Sequence, residues 1–209
     1  PVQLDQFFVE TIIDGELPIT EFPESITRLW GIYANSRLTN RDLSNVTIRA
    51  LGVTEGPQRI FMNVNLTHAP QFDMPGANSF EHMFQWCDYL IQVPDYTGMS
   101  PLTMSGMFES NAYGSLGHPL ARVEGLNFAR VTDATLFGTD NSTGRRKPNL
   151  RYLRITNLGQ SELTSYDFSL ATVWGTGSED ARQSLVNTLL TDSYDRAAAG
   201  MAPATVRLS

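Results

Sequence analysis

A chain of 209 residues with 41% hydrophobic side chains is long enough to bury a sizeable core, and residues 1–209 fit a single globular domain. Charged residues make up 18% of the chain, against about 25% in an average globular protein, and the formal net charge is -7. This balance argues against a nucleic-acid-binding protein, the single cysteine excludes an internal disulfide, and no apolar run suits a transmembrane helix.

The first third of the chain predicts a hairpin, a short helix and a pair of strands. Asp14-Gly15 stands between two short apolar runs, which indicates a hairpin turn. Ser25 is a candidate N-cap, and the apolar residues after it have the spacing of a helix face. The alternating, β-branched segments 45–53 and 58–67 predict two strands with a tight connection between them.

The segment 78–93 predicts an amphipathic helix that ends before Pro94. Asn78 is followed three residues later by Glu81, the signature of a helix cap. The apolar positions fall on one helical face: Phe80, Met83, Phe84, Cys87, Leu90 and Ile91. On this pattern Cys87 is a buried small hydrophobe, and Trp30 and Trp86 belong to the core.

Residues 94–119 predict a long irregular connection, because they contain prolines and glycines and have no sustained period. Several of their side chains are too apolar for a free loop: Met99, Leu102, Met104, Met107 and Phe108. We expect this connection to contact another subunit or to form an exposed functional rim. The alternative is that these side chains fold back onto their own core.

Strand patterns return after residue 120, in segments 121–137, 150–158 and 163–175. Ser178 then opens a predicted helix that Gly200 ends. We detect no internal repeat. The fold class predicted is α+β, a single domain with an antiparallel, sandwich-like sheet and two or three packed helices. The tail 201–209, with Val206 and Leu208, is expected to pack on a neighbouring subunit.

Three basic residues, Arg145, Arg146 and Lys147, cluster between Gly144 and Pro148. They fit a solvated hairpin tip, a contact with an acidic partner chain, or a nucleic-acid contact. Specific nucleic-acid binding needs a basic face on the whole domain, and this chain is acidic. The sequence therefore favours a partner chain over nucleic acid.

No catalytic, cofactor or metal motif is recognisable. Gly-rich phosphate cradles and nucleophile elbows are absent, and the spacing of His68, Asp73, Glu81 and His82 matches no known chelate. We therefore predict a protein that is not an enzyme and takes no cofactor. Low charge with abundant Ser, Thr, Asn and Gly is typical of proteins built from many short strands and turns, and also of surfaces that other subunits cover. Both interpretations stay open.

The function predicted is a structural component of a large homo- or hetero-oligomeric assembly, a virus or phage particle in which the chain is a capsid, tail or decoration protein. Its partners are then copies of itself or other subunits, with no membrane and no nucleic acid, and it is located in the virion. The alternative is a small soluble enzyme, or a carbohydrate- or ligand-binding module without a recognisable motif.

Overall fold

The computed structural model describes residues 2–110, 119–133, 135–136, 150 and 152–157, together with the backbone of two short strands at 165–167 and 205–207. All regular elements in these ranges are β-strands: β1 (Val2–Asp5), β2 (Ile12–Ile13), β3 (Ile26–Trp30), β4 (Arg37–Leu38), β5 (Thr47–Arg49), β6 (Glu55–Gln58), β7 (Gln71–Asp73), β8 (Gln92–Asp95), β9 (Arg122–Asn127), β10 (Tyr152–Thr156), β11 (Ser165–Asp167) and β12 (Thr205–Arg207).

Every pairing between these strands is parallel, and the chain winds as a β-solenoid. From β1 to β7 the paired residues lie 24 to 28 positions apart, about one coil of the chain. The spacing is 29 or 30 residues in β8-β9-β10 and 40 residues between β11 and β12. In the described part of the chain, the paired strands form five sheets: β1-β3-β6, β2-β4, β5-β7, β8-β9-β10 and β11-β12. Isolated parallel bridges from Ser79 to Thr103 and from Thr103 to Asp133 continue the line of β1-β3-β6 through later coils.

One five-residue turn recurs at the same corner of successive coils, and its sequences are QFFVE (6–10), GIYAN (31–35), RIFMN (59–63), HMFQW (82–86) and GMFES (106–110). The first residue of each turn has a positive φ: Gln6, Gly31, Arg59, His82 and Gly106. The central amide donates to the next coil, as from Tyr33 to Ile60 at 3.0 Å and from Phe84 to Met107 at 3.0 Å. The turns therefore stack in register.

The central residues of these turns form a column of stacked aromatic rings inside the solenoid. The rings of Phe8, Tyr33, Phe61, Phe84 and Phe108 have successive centroids 5.5, 5.5, 6.1 and 6.1 Å apart, with interplanar angles of 6, 17, 5 and 3°. Each such pair adds about 0.5–1.5 kcal/mol beyond the area that it buries. The column fixes which turn lies over which, and so sets the register of the coils.

Two buried tyrosines complete the core near this column. The hydroxyl of Tyr33 donates to the carbonyl of Ile19, and that of Tyr96 donates to the carbonyl of Pro70 at 2.7 Å. Burial raises the pKa of Tyr33 to about 12, although the hydrogen bond to Ile19 opposes the shift. Both polar tips are thus satisfied by backbone carbonyls at the corners of the solenoid.

The predicted α+β class is wrong, because the described residues contain no helix and no antiparallel pair. The segment after Ser25 forms β3, and 78–93 winds through the recurring turn instead of a helix. Two overlapping β-turns, 82–85 and 84–87, point apolar side chains into the core. These side chains are three or four residues apart in the sequence, which is also the spacing on one face of a helix. Positive φ values at His82 and Trp86 show that the backbone is not helical.

The predicted hairpin and antiparallel strand pair are wrong for a related reason. Gly15, with φ of 80°, turns a corner of the first coil, and β2 beside it pairs in parallel with β4. Of the two segments expected to pair with each other, 45–53 forms β5, which pairs with β7, whereas 58–67 contributes only Gln58 to a strand and forms the recurring turn at 59–63. The expected tight connection between them is β6, which pairs with β3. The expectation of no internal repeat also fails, since the coils repeat in structure.

The predicted helix at 178–200 lies outside the described residues.

Candidate functional site

A groove of about 290 Å³ lies beside the recurring turn and crosses three successive coils. Three coils line it: Asn35, Ser36 and Arg37 from one, Asn63, Val64 and Asn65 from the next, and Trp86, Asp88 and Tyr89 from the third. Because the turns are stacked in register, these side chains form two ridges and a floor that run along the solenoid axis.

The first ridge consists of Asn35, Asn63 and Trp86, the last residues of their turns. All three have left-handed backbone, with φ of 58, 56 and 61°. The Nδ2 of Asn63 donates to the Oδ1 of Asn35 at 2.9 Å, so the two amides form a short ladder. Asparagine adopts this conformation readily, whereas a bulky residue does so at a cost of about 1–2 kcal/mol.

The second ridge consists of Arg37, Asn65, Asp88 and Tyr89. The side-chain amide of Asn65 replaces a backbone pairing: the Leu38 N–H donates to its Oδ1 at 2.8 Å, and its Nδ2 donates to the Leu38 carbonyl at 3.1 Å. The guanidinium of Arg41 lies 4.3 Å from the centre of the Tyr89 ring, and its Nε donates to the Asn65 carbonyl at 2.6 Å. This ridge is therefore held by hydrogen bonds and a cation–π contact.

The floor between the ridges is formed by Ser36 and Val64, which are almost completely buried. The Ser36 hydroxyl donates to the Phe8 carbonyl and lies 3.3 Å from the Oγ1 of Thr11. Val64 belongs to the hydrophobic core. The groove thus rests on packed side chains of the solenoid, and its shape is set before any ligand arrives.

A second depression, of about 340 Å³, lies on the sheet β1-β3-β6 and is lined by Arg28, Leu29, Glu55, Gly56, Gln58 and Asn78. It contains no aromatic side chain. Arg28 pairs with Asp5 at 3.4 Å, and the Oδ1 of Asn78 accepts from the Gly56 N–H at 3.1 Å. Its polar groups therefore stabilise neighbouring coils.

The predicted partner-binding residues are dispersed. Four of them, Met99, Met104, Met107 and Phe108, are at most 3% exposed and lie in this chain's own core. This agrees with the alternative given for residues 94–119, that their apolar side chains fold back onto the core. The backbone of Val206 lies on β12 and pairs with Tyr166 of β11. Arg145, Arg146, Lys147 and Leu208 lie outside the described residues. The structure brings none of the four core residues to the groove.

The histidines and the cysteine serve local contacts in the described part of the chain. His68 lies 3.7 Å from Asp42 and His82 lies 3.4 Å from Glu81. No cluster of three or more potential metal ligands occurs among the described residues. Cys87 is buried, as predicted, and burial raises the pKa of its thiol to about 12.

Sequence reasoning missed the groove because it placed Trp86 in the core and treated asparagines as turn residues. Trp86 is partly exposed and stands beside Asn63. One signal in the sequence could have revealed the groove. An aromatic residue recurs about every 25 residues, and the residue two positions after it lies at the same place in each coil: Glu10, Asn35, Asn63 and Trp86.

No family model, curated protein or solved structure matches the chain. Among the described residues there is also no helix long and apolar enough to cross a membrane.

Proposed function

We propose that the chain is a structural subunit of a large assembly, and that this assembly is a virus or phage particle in which it serves as a capsid, tail or decoration protein. The observation that carries the proposal is an exposed apolar rim on the first coil, formed by Val2, Phe7 and Ile12. These side chains are 49, 59 and 76% exposed.

The rim lies beside an unpaired edge. Among the described residues, β1 pairs only with β3 and β2 pairs only with β4, so the opposite edge of the first coil has no strand partner. An open parallel edge with apolar side chains is a template for a further chain, and solenoids require such ends to be covered. In the proposed assembly, another subunit pairs with this edge and covers its apolar side chains.

The composition agrees with this role. Only 18% of residues are charged, and low charge suits surfaces that are desolvated in an assembly. The stacked rings and the parallel ladders hold successive coils in fixed register, which suits a structural element of a particle.

The native mass of the purified chain tests the proposal. We expect an oligomer for the wild type and a monomer for the triple variant Val2→Thr, Phe7→Ser, Ile12→Thr. The variant Leu102→Thr is the control, because Leu102 is exposed but lies away from the rim, and it should assemble normally. A monomeric wild type, or assembly that survives the triple change, would contradict the assembly role.

The assignment to a virus or phage particle has a separate test. Mass spectrometry of density-purified particles from the source should find the chain in stoichiometric amounts. If the chain forms an oligomer but is absent from such particles, the proposed structural role still holds and the proposed virion location is wrong.

A further inference from the structure

The groove runs parallel to the solenoid axis across three coils. Strands of adjoining coils lie about 4.8 Å apart, so the ridge from Asn35 through Asn63 to Trp86 is about 10 Å long. This is the length of two linked sugar rings. The ridges combine hydrogen-bond donors and acceptors: the amides of Asn35 and Asn63, the guanidinium of Arg37 and the carboxylate of Asp88.

Trp86 is the residue that points to a ligand. At the same position of the three preceding coils stand Glu10, Asn35 and Asn63, all with positive φ. Asparagine or glycine suits that backbone, and a bulky indole does not. The backbone therefore gives no reason for a tryptophan here. Strained residues concentrate at binding sites, and the indole of Trp86 lines the groove.

Tyr89 supplies a second aromatic surface. Its side chain is 56% exposed, and the guanidinium of Arg41 holds one face of the ring at 4.3 Å from the centroid. Arg41 is itself fixed by its hydrogen bond to the Asn65 carbonyl. An exposed ring with a fixed orientation presents a flat apolar surface to a ligand at little entropic cost.

We propose that this groove binds a saccharide chain that lies along the solenoid axis. A sugar ring has an apolar C–H face, which stacks on Trp86 or Tyr89, and a rim of hydroxyls, which need both donors and acceptors. Asn63 offers its Oδ1 and its second N–H for these hydroxyls, since one N–H is engaged with Asn35. Arg37 and Asp88 extend the same polar rim.

The charge and shape of the groove favour a saccharide over a nucleic acid or a peptide. A nucleic-acid strand needs a run of cations for its phosphates, and among the described residues that line the groove Arg37 alone is basic, with the acidic Asp88 in the same lining. A peptide gains affinity from apolar side-chain pockets or from an open sheet edge. The floor of this groove, Ser36 and Val64, is almost completely buried, and β4 beside it is already paired with β2. Mixed polar ridges with two aromatic rings fit a saccharide.

The test is isothermal titration of the purified chain with maltohexaose, cellohexaose, chitohexaose, a galacturonate hexamer and 3′-sialyllactose. We expect saturable binding of at least one of these probes. Trp86→Asn should weaken it at least about tenfold, the equivalent of one lost ring-stacking contact. This variant places at position 86 the residue that two other coils use there, so its melting temperature should equal or exceed that of the wild type.

Tyr89→Ala is the second variant, because Tyr89 is exposed and its removal leaves the core intact; it should also weaken binding. Trp30→Phe is the matched control, since Trp30 is a partly buried tryptophan outside the groove, and it should bind as the wild type does. Failure of every probe to bind, or binding that persists unchanged in both Trp86→Asn and Tyr89→Ala, would overturn the proposal.

Discussion

The guanidinium of Arg154 reaches the carboxylate of Asp95 across an intervening coil, over 59 residues of sequence. Gly125 lies between them and makes the contact possible: a Cβ there would stand 2.5 Å from the Oδ1 of Asp95 and 3.0 Å from the Nη2 of Arg154. The Nε of Arg154 also donates to the Glu124 carbonyl at 2.8 Å. Three coils are thereby tied together at one point of their surface.

This pair predicts a loss of stability in acid. Partial burial opposes ionisation of Asp95, but hydrogen bonds from Thr97 and Arg154 outweigh it and lower the pKa of the carboxyl. The stabilisation is therefore complete above the unfolded pKa of about 3.9 and is lost as the pH falls through the lower folded value. Because both side chains are over a third exposed, it amounts to at most about 1 kcal/mol.

The measurement is the free energy of unfolding of the wild type and of Asp95→Asn between pH 6 and pH 2. The difference between the two proteins should be largest near neutral pH and should shrink below about pH 4, because the Asp95 carboxyl of the unfolded wild type takes up its proton before that of the folded protein does. A difference that stays constant over this range would show that the charge of Asp95 contributes nothing.

Gly52 is a position where any side chain should damage the fold. A Cβ at Gly52 would lie 1.9 Å from the backbone oxygen of Glu24, and backbone cannot move aside as a side-chain end can. We expect Gly52→Ala to destabilise the protein by about 3 kcal/mol. Gly98→Ala is the matched control, since nothing lies within 4 Å of its Cβ position. Equal denaturation midpoints for the two variants would show that the coils do not approach each other at Gly52.

Phe84 tests the aromatic column, because its ring stacks on both Phe61 and Phe108. Phe84→Ala should destabilise the protein by about 4 kcal/mol through lost burial and the cavity left behind. Tyr89→Ala removes an exposed ring from the same coil and should cost no more than about 1 kcal/mol, the value of its contact with Arg41. Urea denaturation of both variants makes the comparison, and similar losses would mean that the rings do not stack inside the solenoid.

Cys87 provides a probe of global unfolding. Its thiol is buried, its Sγ donates to the Phe61 carbonyl at 2.8 Å, and burial raises its pKa to about 12. We expect no reaction with Ellman's reagent at pH 8 in the folded protein, and full reaction once guanidinium unfolds the chain, because the thiolate is the reactive form. Rapid labelling in native buffer would place Cys87 at the surface.

The sequence correctly predicted local features whose causes are local. Burial of Cys87 follows from its place among apolar neighbours, and the change of chain direction at Gly15 follows from glycine's access to positive φ, although the hairpin predicted there does not form. The tight connection predicted between residues 53 and 58 is wrong, because Glu55–Gln58 form β6. The sequence did not reveal how the segments pair. A period of two describes a parallel strand as well as an antiparallel one, and the spacing of Phe80, Met83, Phe84 and Cys87 describes a double turn as well as a helix.

Only the tertiary structure decided the direction of the sheets and the position of the groove. The contacts that select a solenoid join residues about one coil apart, such as Phe61 with Phe84 and Asn35 with Asn63, and pattern within a single segment contains no information about them. The same stacking brings Trp86 beside Asn63 and carries Arg154 over Gly125 to Asp95. Residue type set what each side chain can do, and the register of the coils determined which side chains act together.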